Sequence, residues 1–111
     1  MASRVFAWKD ALANGLSPGL YSYSDVPLGE YDAILDFKIW AKKLMAINCY
    51  FTQVVTGKKI LLTVFCNEGG LYKVGGSAIN FATCDIERVY KINVMANQNK
   101  RIVFAHVVLD E

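Results

Sequence analysis

The chain has 111 residues, is 54% hydrophobic and carries a formal net charge of +2, which suits one apolar core and is too short for two. That apolar content excludes disorder for the bulk of the chain, and no apolar run approaches the roughly 18 residues a membrane helix needs. The mild total hides an asymmetry: residues 37–109 hold ten Lys/Arg against three acids, whereas residues 1–36 hold two bases and five acids. A basic segment between acidic ends points to a polyanionic partner more strongly than the net charge does.

Residues 4–13 (RVFAWKDALA) suggest a short strand leading into a helical turn. The first residues place Asp10 where a secretion signal needs an apolar stretch, so a cytoplasmic location is expected. From Asn14 to Gly29 the signals are those of a loop: Asn14-Gly15, Ser17-Pro18-Gly19, Ser24-Asp25 and Pro27, with Tyr21 and Tyr23 inside it. Residues 1–29 are therefore read as an arm and 30–111 as a β-barrel, within one domain.

Tyr31–Trp40 alternates with period two. Tyr31, Ala33, Leu35, Phe37 and Ile39 form the expected core face, and Asp32, Ile34, Asp36, Lys38 and Trp40 the outward face. Lys42-Lys43 marks a turn or bulge, and Leu44–Gln53 is the second strand, apolar on both faces. Thr56-Gly57-Lys58 makes a hairpin turn into a third strand, Lys59–Cys66. Asn67–Gly70 breaks it. Leu71–Val74 is read as a short strand and Ser77–Cys84 as a short helix capped by Ser77. Val89–Met95 and Arg101–Leu109 close the chain as a hairpin around Asn97-Gln98-Asn99. Three meander strands, a Gly-rich break with one short helix and a final hairpin follow the order of an OB-like five-stranded barrel, a mostly β fold.

Catalysis is not expected. His106 is the sole histidine and sits in an apolar strand, so a nucleophile would lack a base and an orienting partner. Asp32 and Asp36, four residues apart on one strand, stand about 13 Å from each other, too far for a retaining carboxylate pair. Cys49, Cys66 and Cys84 show no CxxC spacing and read as reduced, buried thiols. No metal or other cofactor is expected.

Sequence-tolerant binding of single strands needs cations that follow phosphates and flat rings on which bases stack. Lys38 and Trp40 share the expected outward face, Lys42 and Lys43 extend the line, and Tyr50 comes from the next strand. Lys58 and Lys59 sit at a hairpin tip, and Tyr72 with Lys73 and Lys91 beside Tyr90 add further neighbours. The stretches GEYDAILDFKIWAKKLMAINCYF…TGKKILLTVF and YKINVMANQNKRIVFAHVVL resemble the opening half and closing hairpin of OB-fold single-stranded DNA-binding proteins of small phage type, over about residues 28–109. That resemblance implies a groove lined by Lys38, Trp40, Lys42, Lys43 and Tyr50. The expected partner is single-stranded DNA, or RNA, with a homodimer expected from the apolar excess and no membrane. Two further readings stand beside it. One is a protein-interaction module or regulator whose arm presents Tyr21 and Tyr23. The other is a small-molecule barrel lined by Met45, Phe51, Phe65 and Phe81.

Overall fold

The computed structural model describes residues 4–66, 71–72 and 79–109, and for Phe104 and Ala105 the backbone only. Strand β1 is Val5–Phe6, helix α1 Trp8–Ala13, β2 Gly29–Ala41, β3 Ala46–Gln53, β4 Lys59–Phe65, β5 Arg88–Ala96 and β6 Ile102–Leu109. The sheet order is β4-β3-β2-β5-β6, with β1 paired to β2. β1 runs parallel to β2, and the other ladders are antiparallel. The sheet curls into a half-barrel with the strand order of an OB-like barrel, as the sequence predicts. No helix among the described residues is long and apolar enough to cross a membrane.

The five main strands fall within two residues of their expected bounds. The hairpin turn between β3 and β4 depends on Gly57, whose φ of 74° lies in the left-handed region that a side chain disfavours. The short helix expected over Ser77–Cys84 is corrected. Residues 81–83 form a turn, and Ser77 and Ala78 lie outside the described residues. The α-helix is at Trp8–Ala13, directly after β1, where residues 4–13 read as a short strand leading into a helical turn; it holds Lys, Leu and two Ala and is closed by the Asn14 side-chain amide donating to the Asp10 carbonyl at 2.7 Å. Leu71 and Tyr72 are not in a strand; Lys73 and Val74 lie outside the described residues.

One irregularity in β2 reorganises everything after it. The β2–β3 register slips between Leu35 and Phe37, so Asp36 is an extra residue, a β-bulge. Because side chains alternate, one inserted residue sends all later ones to the opposite face. Ala33 and Leu35 face the main core. Beyond the bulge Phe37 and Ile39 face outward, into a second cluster with Tyr50 and Ala11. Lys38 turns inward and is fully buried, opposite Cys49, and Trp40 turns inward at the barrel mouth against the main core. The uniform alternation expected for Tyr31–Trp40 is thus corrected: Phe37 and Ile39 leave the main core, and Lys38 and Trp40 join it.

The two faces are held by different contacts, the outer one by the arm. It roofs the outer cluster, where Tyr21 packs edge-on to Phe37 (5.4 Å) and Tyr50 (5.2 Å), which stack on each other at 4.6 Å. The Tyr21 hydroxyl donates to Asp36 at 2.7 Å, and the Thr52 hydroxyl donates to the same carboxylate oxygen at 2.5 Å. Ser22 then bridges the outer edge of β4 at Ile60. Inside the barrel the Lys38 ammonium donates to the carbonyls of Cys84 (2.7 Å) and Phe81 (3.1 Å), which ties the connection before β5 to the strand wall. The Glu87 N–H donates to the Leu35 carbonyl at 2.6 Å, and the Tyr90 hydroxyl to the Asp85 carbonyl at 2.7 Å.

These contacts carry two expectations. Lys38→Met keeps the stem but leaves two carbonyls without that donor, so unfolding free energy falls by about 2–6 kcal/mol, at about 1–3 kcal/mol per buried group left unpaired. A urea titration reads it as a lower midpoint at unchanged slope. The second expectation concerns alkaline pH. Burial pushes the Tyr31 hydroxyl, which donates to Pro27, from 10.0 up to about 12. Burial, reinforced by the bond to Asp36, raises Tyr21, and burial with the neighbouring Cys84 raises Tyr90. A phenol titrating higher when folded than unfolded stabilises the fold fully below its unfolded value, and that contribution is lost as pH climbs through the folded value. Stability is therefore expected to hold up to about pH 10 and fall steeply towards about pH 12. Tyrosinate absorbance should rise together with loss of β circular dichroism, and early titration of these phenols in the folded chain would contradict this.

Candidate nucleic-acid interface

The β1 ladder brings together residues far apart in sequence. Val5 and Phe6 pair in parallel with Lys38 and Ile39, so the following residues, Ala7–Asp10, continue alongside Trp40–Leu44. These segments line an open cleft of about 880 Å³. Trp8, 52% exposed, and Trp40, half-buried, supply rings; Lys9, Lys42 and Lys43 supply cations; Leu44 adds an exposed apolar edge. Asp10 is the one carboxylate in the lining, so the cleft is cationic on balance. Trp40 also borders a neighbouring hollow with Tyr72, whose ring meets it edge-on at 5.7 Å.

Local geometry explains the presentation. Lys42–Leu44 form a single 3-10 turn between β2 and β3, and Met45 ends it in the left-handed region at φ 52°, ψ 50°. So tight a turn points the side chains of Lys42, Lys43, Leu44 and Met45 into solvent. The cleft continues to Asn48 on the outer face of β3, and the Thr63 hydroxyl on β4 donates to Asn48 Oδ1 at 2.8 Å. The β3–β4 face is where OB barrels bind oligonucleotides. Here its other half lies beneath the arm.

The structure gathers four of the expected residues, Trp40, Lys42, Lys43 and Tyr72, and separates the rest. Lys38 is corrected from groove to core, because the bulge turns it inward. Tyr50 is corrected likewise: it is 2% exposed, sandwiched under Tyr21 against Phe37, with no face for a base. Lys58 is paired with Asp25 at 2.7 Å. Lys59 lies over the Tyr21 ring, 5.1 Å from its centroid, and reaches the Thr52 hydroxyl. Both belong to the far end of the β3–β4 hairpin, six residue steps or about 20 Å from the Lys42–Lys43 end. Lys91 is exposed on β5, opposite Asp32 in the β2–β5 ladder and away from the cleft. Lys73 lies outside the described residues.

Trp8 and Lys9 are the contributors the sequence reading missed. The signal was present as an adjacent ring and cation, Trp8-Lys9. It lay in the acidic third of the chain, and only a parallel β1–β2 pairing places it beside Trp40. Of the three thiols expected to be buried, Cys49 is buried and Cys66 and Cys84 are half-buried. Burial pushes Cys49 well above the ordinary thiol range, and burial also raises Cys84. Comparison with known proteins adds no relative: no family model matches this chain, and no curated protein and no solved structure matches it.

Proposed function

We propose that this chain binds single-stranded nucleic acid, DNA in the first instance, without catalysis and with little sequence preference. The observation that carries the reading is one open cleft holding two indole rings and three lysines, Lys9, Lys42 and Lys43. Bases stack on Trp8 and on the exposed part of Trp40, while the lysines neutralise the phosphates that follow. The basic bias of residues 37–109 and the OB-like strand order support the same conclusion. So does the resemblance to small phage-type single-stranded DNA-binding proteins. Stacking on these rings needs bases with a free face, which a single strand offers and a duplex, whose bases are already stacked, does not.

Trp8 and Trp40 are the chain's two tryptophans and both line the cleft, so their fluorescence reads the site directly. Titration with oligo-dT at low salt should quench it saturably. Three neutralised phosphates give a slope of log affinity against log salt of about −2. Lys42→Glu with Lys43→Glu should weaken binding at least about tenfold and flatten that slope to about −0.7. Trp8→Ala removes an exposed ring and should cost about 1–3 kcal/mol of binding with the fold intact. Absence of quenching at low salt, or association indifferent to salt, would overturn the proposal and leave the protein-interaction reading.

Homodimer formation belongs to the same proposal. The exposed Leu44 and Met45 beside the cleft would be covered, and two clefts would act on one strand. Sedimentation velocity over a dilution series should show a species of twice the 12.4 kDa chain mass. A monomer at every concentration would remove this part and leave the binding titration standing.

A further inference from the structure

We infer that the seam between β4 and the β5–β6 hairpin is a second binding site, which takes an extended acidic peptide as an added strand. It is an open cleft of about 610 Å³ whose lining includes Tyr23, Thr63, Phe65, Lys100, Arg101 and Ile102. It shares no lining residue with the Trp8–Trp40 cleft, so the inference does not rest on nucleic-acid binding.

The backbone supplies the first argument. The Ser22 N–H donates to the Lys59 carbonyl (3.2 Å), and the Leu61 N–H donates to the Ser22 carbonyl (2.9 Å). The peptide groups of odd-numbered β4 residues therefore point away from β3. Ser22 engages only this one register position. Beyond it, by the same alternation, the Leu61 carbonyl, both groups of Thr63 and the Phe65 N–H face the seam, and no ladder joins them to β6 among the described residues. An edge of alternating donors and acceptors is a template for another polypeptide strand. A DNA backbone has acceptors and no donors, so it cannot satisfy the carbonyls of Leu61 and Thr63.

Side chains and charge supply the second argument. Phe65 and Tyr23 are largely exposed at the rim, which suits the apolar side chains of an alternating strand. The opposite wall is the tight turn before β6. Asn97 fixes it: its side-chain oxygen accepts from the N–H groups of Asn99 (2.9 Å) and Arg101 (3.0 Å), and its carbonyl accepts from Lys100 (2.9 Å). Lys100 and Arg101 are thus held on the seam, and no carboxylate lines it. A peptide carrying Glu or Asp there gains charge-assisted bonds. A second copy of this chain is a poorer occupant, because edge-to-edge pairing brings two Lys100–Arg101 pairs into one seam.

The probe is a fluorescein-labelled heptapeptide, Glu-Val-Glu-Phe-Glu-Val-Glu, with a Lys-for-Glu version as control. Anisotropy should show saturable binding of the acidic peptide and at least about tenfold weaker binding of the basic one. Lys100→Glu with Arg101→Glu should invert that preference. Thr63→Pro deletes an outward N–H, a change edge strands tolerate, and should weaken the acidic peptide at least about tenfold. On the unaltered chain, the peptide should slow hydrogen exchange of the Thr63 and Phe65 amides. That measurement decides if Thr63→Pro fails to fold. Equal binding of both peptides, exchange at Thr63 unmoved by peptide, or slowing of the same amides by oligo-dT or by raised protein concentration alone would each overturn the assignment.

Discussion

Everything distinctive in this barrel follows from the extra residue at Asp36. A half-barrel whose longest strand kept one alternation would show Phe37 and Ile39 to the core and Lys38 and Trp40 to solvent. The bulge reverses that, and the reversal is held by Asp36 itself, whose carboxylate accepts the hydroxyls of Tyr21 and Thr52. Without the flip there would be no apolar outer patch of Phe37, Ile39 and Tyr50, and the arm would have nothing to cover. The bulge also lies where β2 changes partners. The β5 ladder ends at Leu35, and β1 takes up the vacated edge at Lys38 and Ile39. Strand bending at such a point is what lets one strand serve two parts of a curved sheet.

Burying an ammonium is costly, and only the hydrogen bonds it makes to otherwise unpaired groups offset that cost. Lys38 gives geometric definition in return. The segment after residue 78 has no regular ladder of its own before β5 begins, so its carbonyls need donors from elsewhere. A long, flexible side chain from the wall reaches Phe81 and Cys84 together, with Glu87 and Tyr90 fixing the rest. Phe81 can then be buried in the core as an apolar plug beneath carbonyls that are satisfied. A methionine would fill the volume and leave the carbonyls without that donor, which is why the site favours lysine.

The strands were legible because each is half-buried, and half-burial writes period two into the residues. Their order was legible because short turns at Lys42, Gly57 and Asn97 force neighbours to pair. The bulge was not legible. Leu35-Asp36-Phe37-Lys38-Ile39 alternates apolar and polar without a break, since the outer face here is apolar under the arm and the inner face accepts one lysine. Parity read across an unseen bulge therefore put Lys38 in the groove and Phe37 in the core. Tyr50 failed for a related reason: a β3 that is apolar on both faces signals two covers, and the second cover is the arm, whose turn-rich sequence reads as loop. The exposure of Lys42 and Lys43 was legible because a tight turn exposes its residues whatever the parity.

The arm, whose turn-rich sequence fits either a segment packed over the barrel or a mobile one that meets a partner, packs over the barrel and positions both clefts. Its start supplies Trp8 and Lys9 to the mouth beside Trp40, its middle seals Phe37 and Tyr50, and its next residues, Tyr23 and Ser24, border the seam at β4. Because Tyr21 and Ser22 cover the centre of the β3–β4 face, the two clefts among the described residues lie towards its ends. One end is rich in rings and lysines, which suits stacked bases and phosphates. The other offers unpaired peptide groups beside two cations, which suits an acidic strand. The separation of the two chemistries is a direct consequence of where the arm lies, and the arm lies there because the bulge gave it an apolar surface to cover.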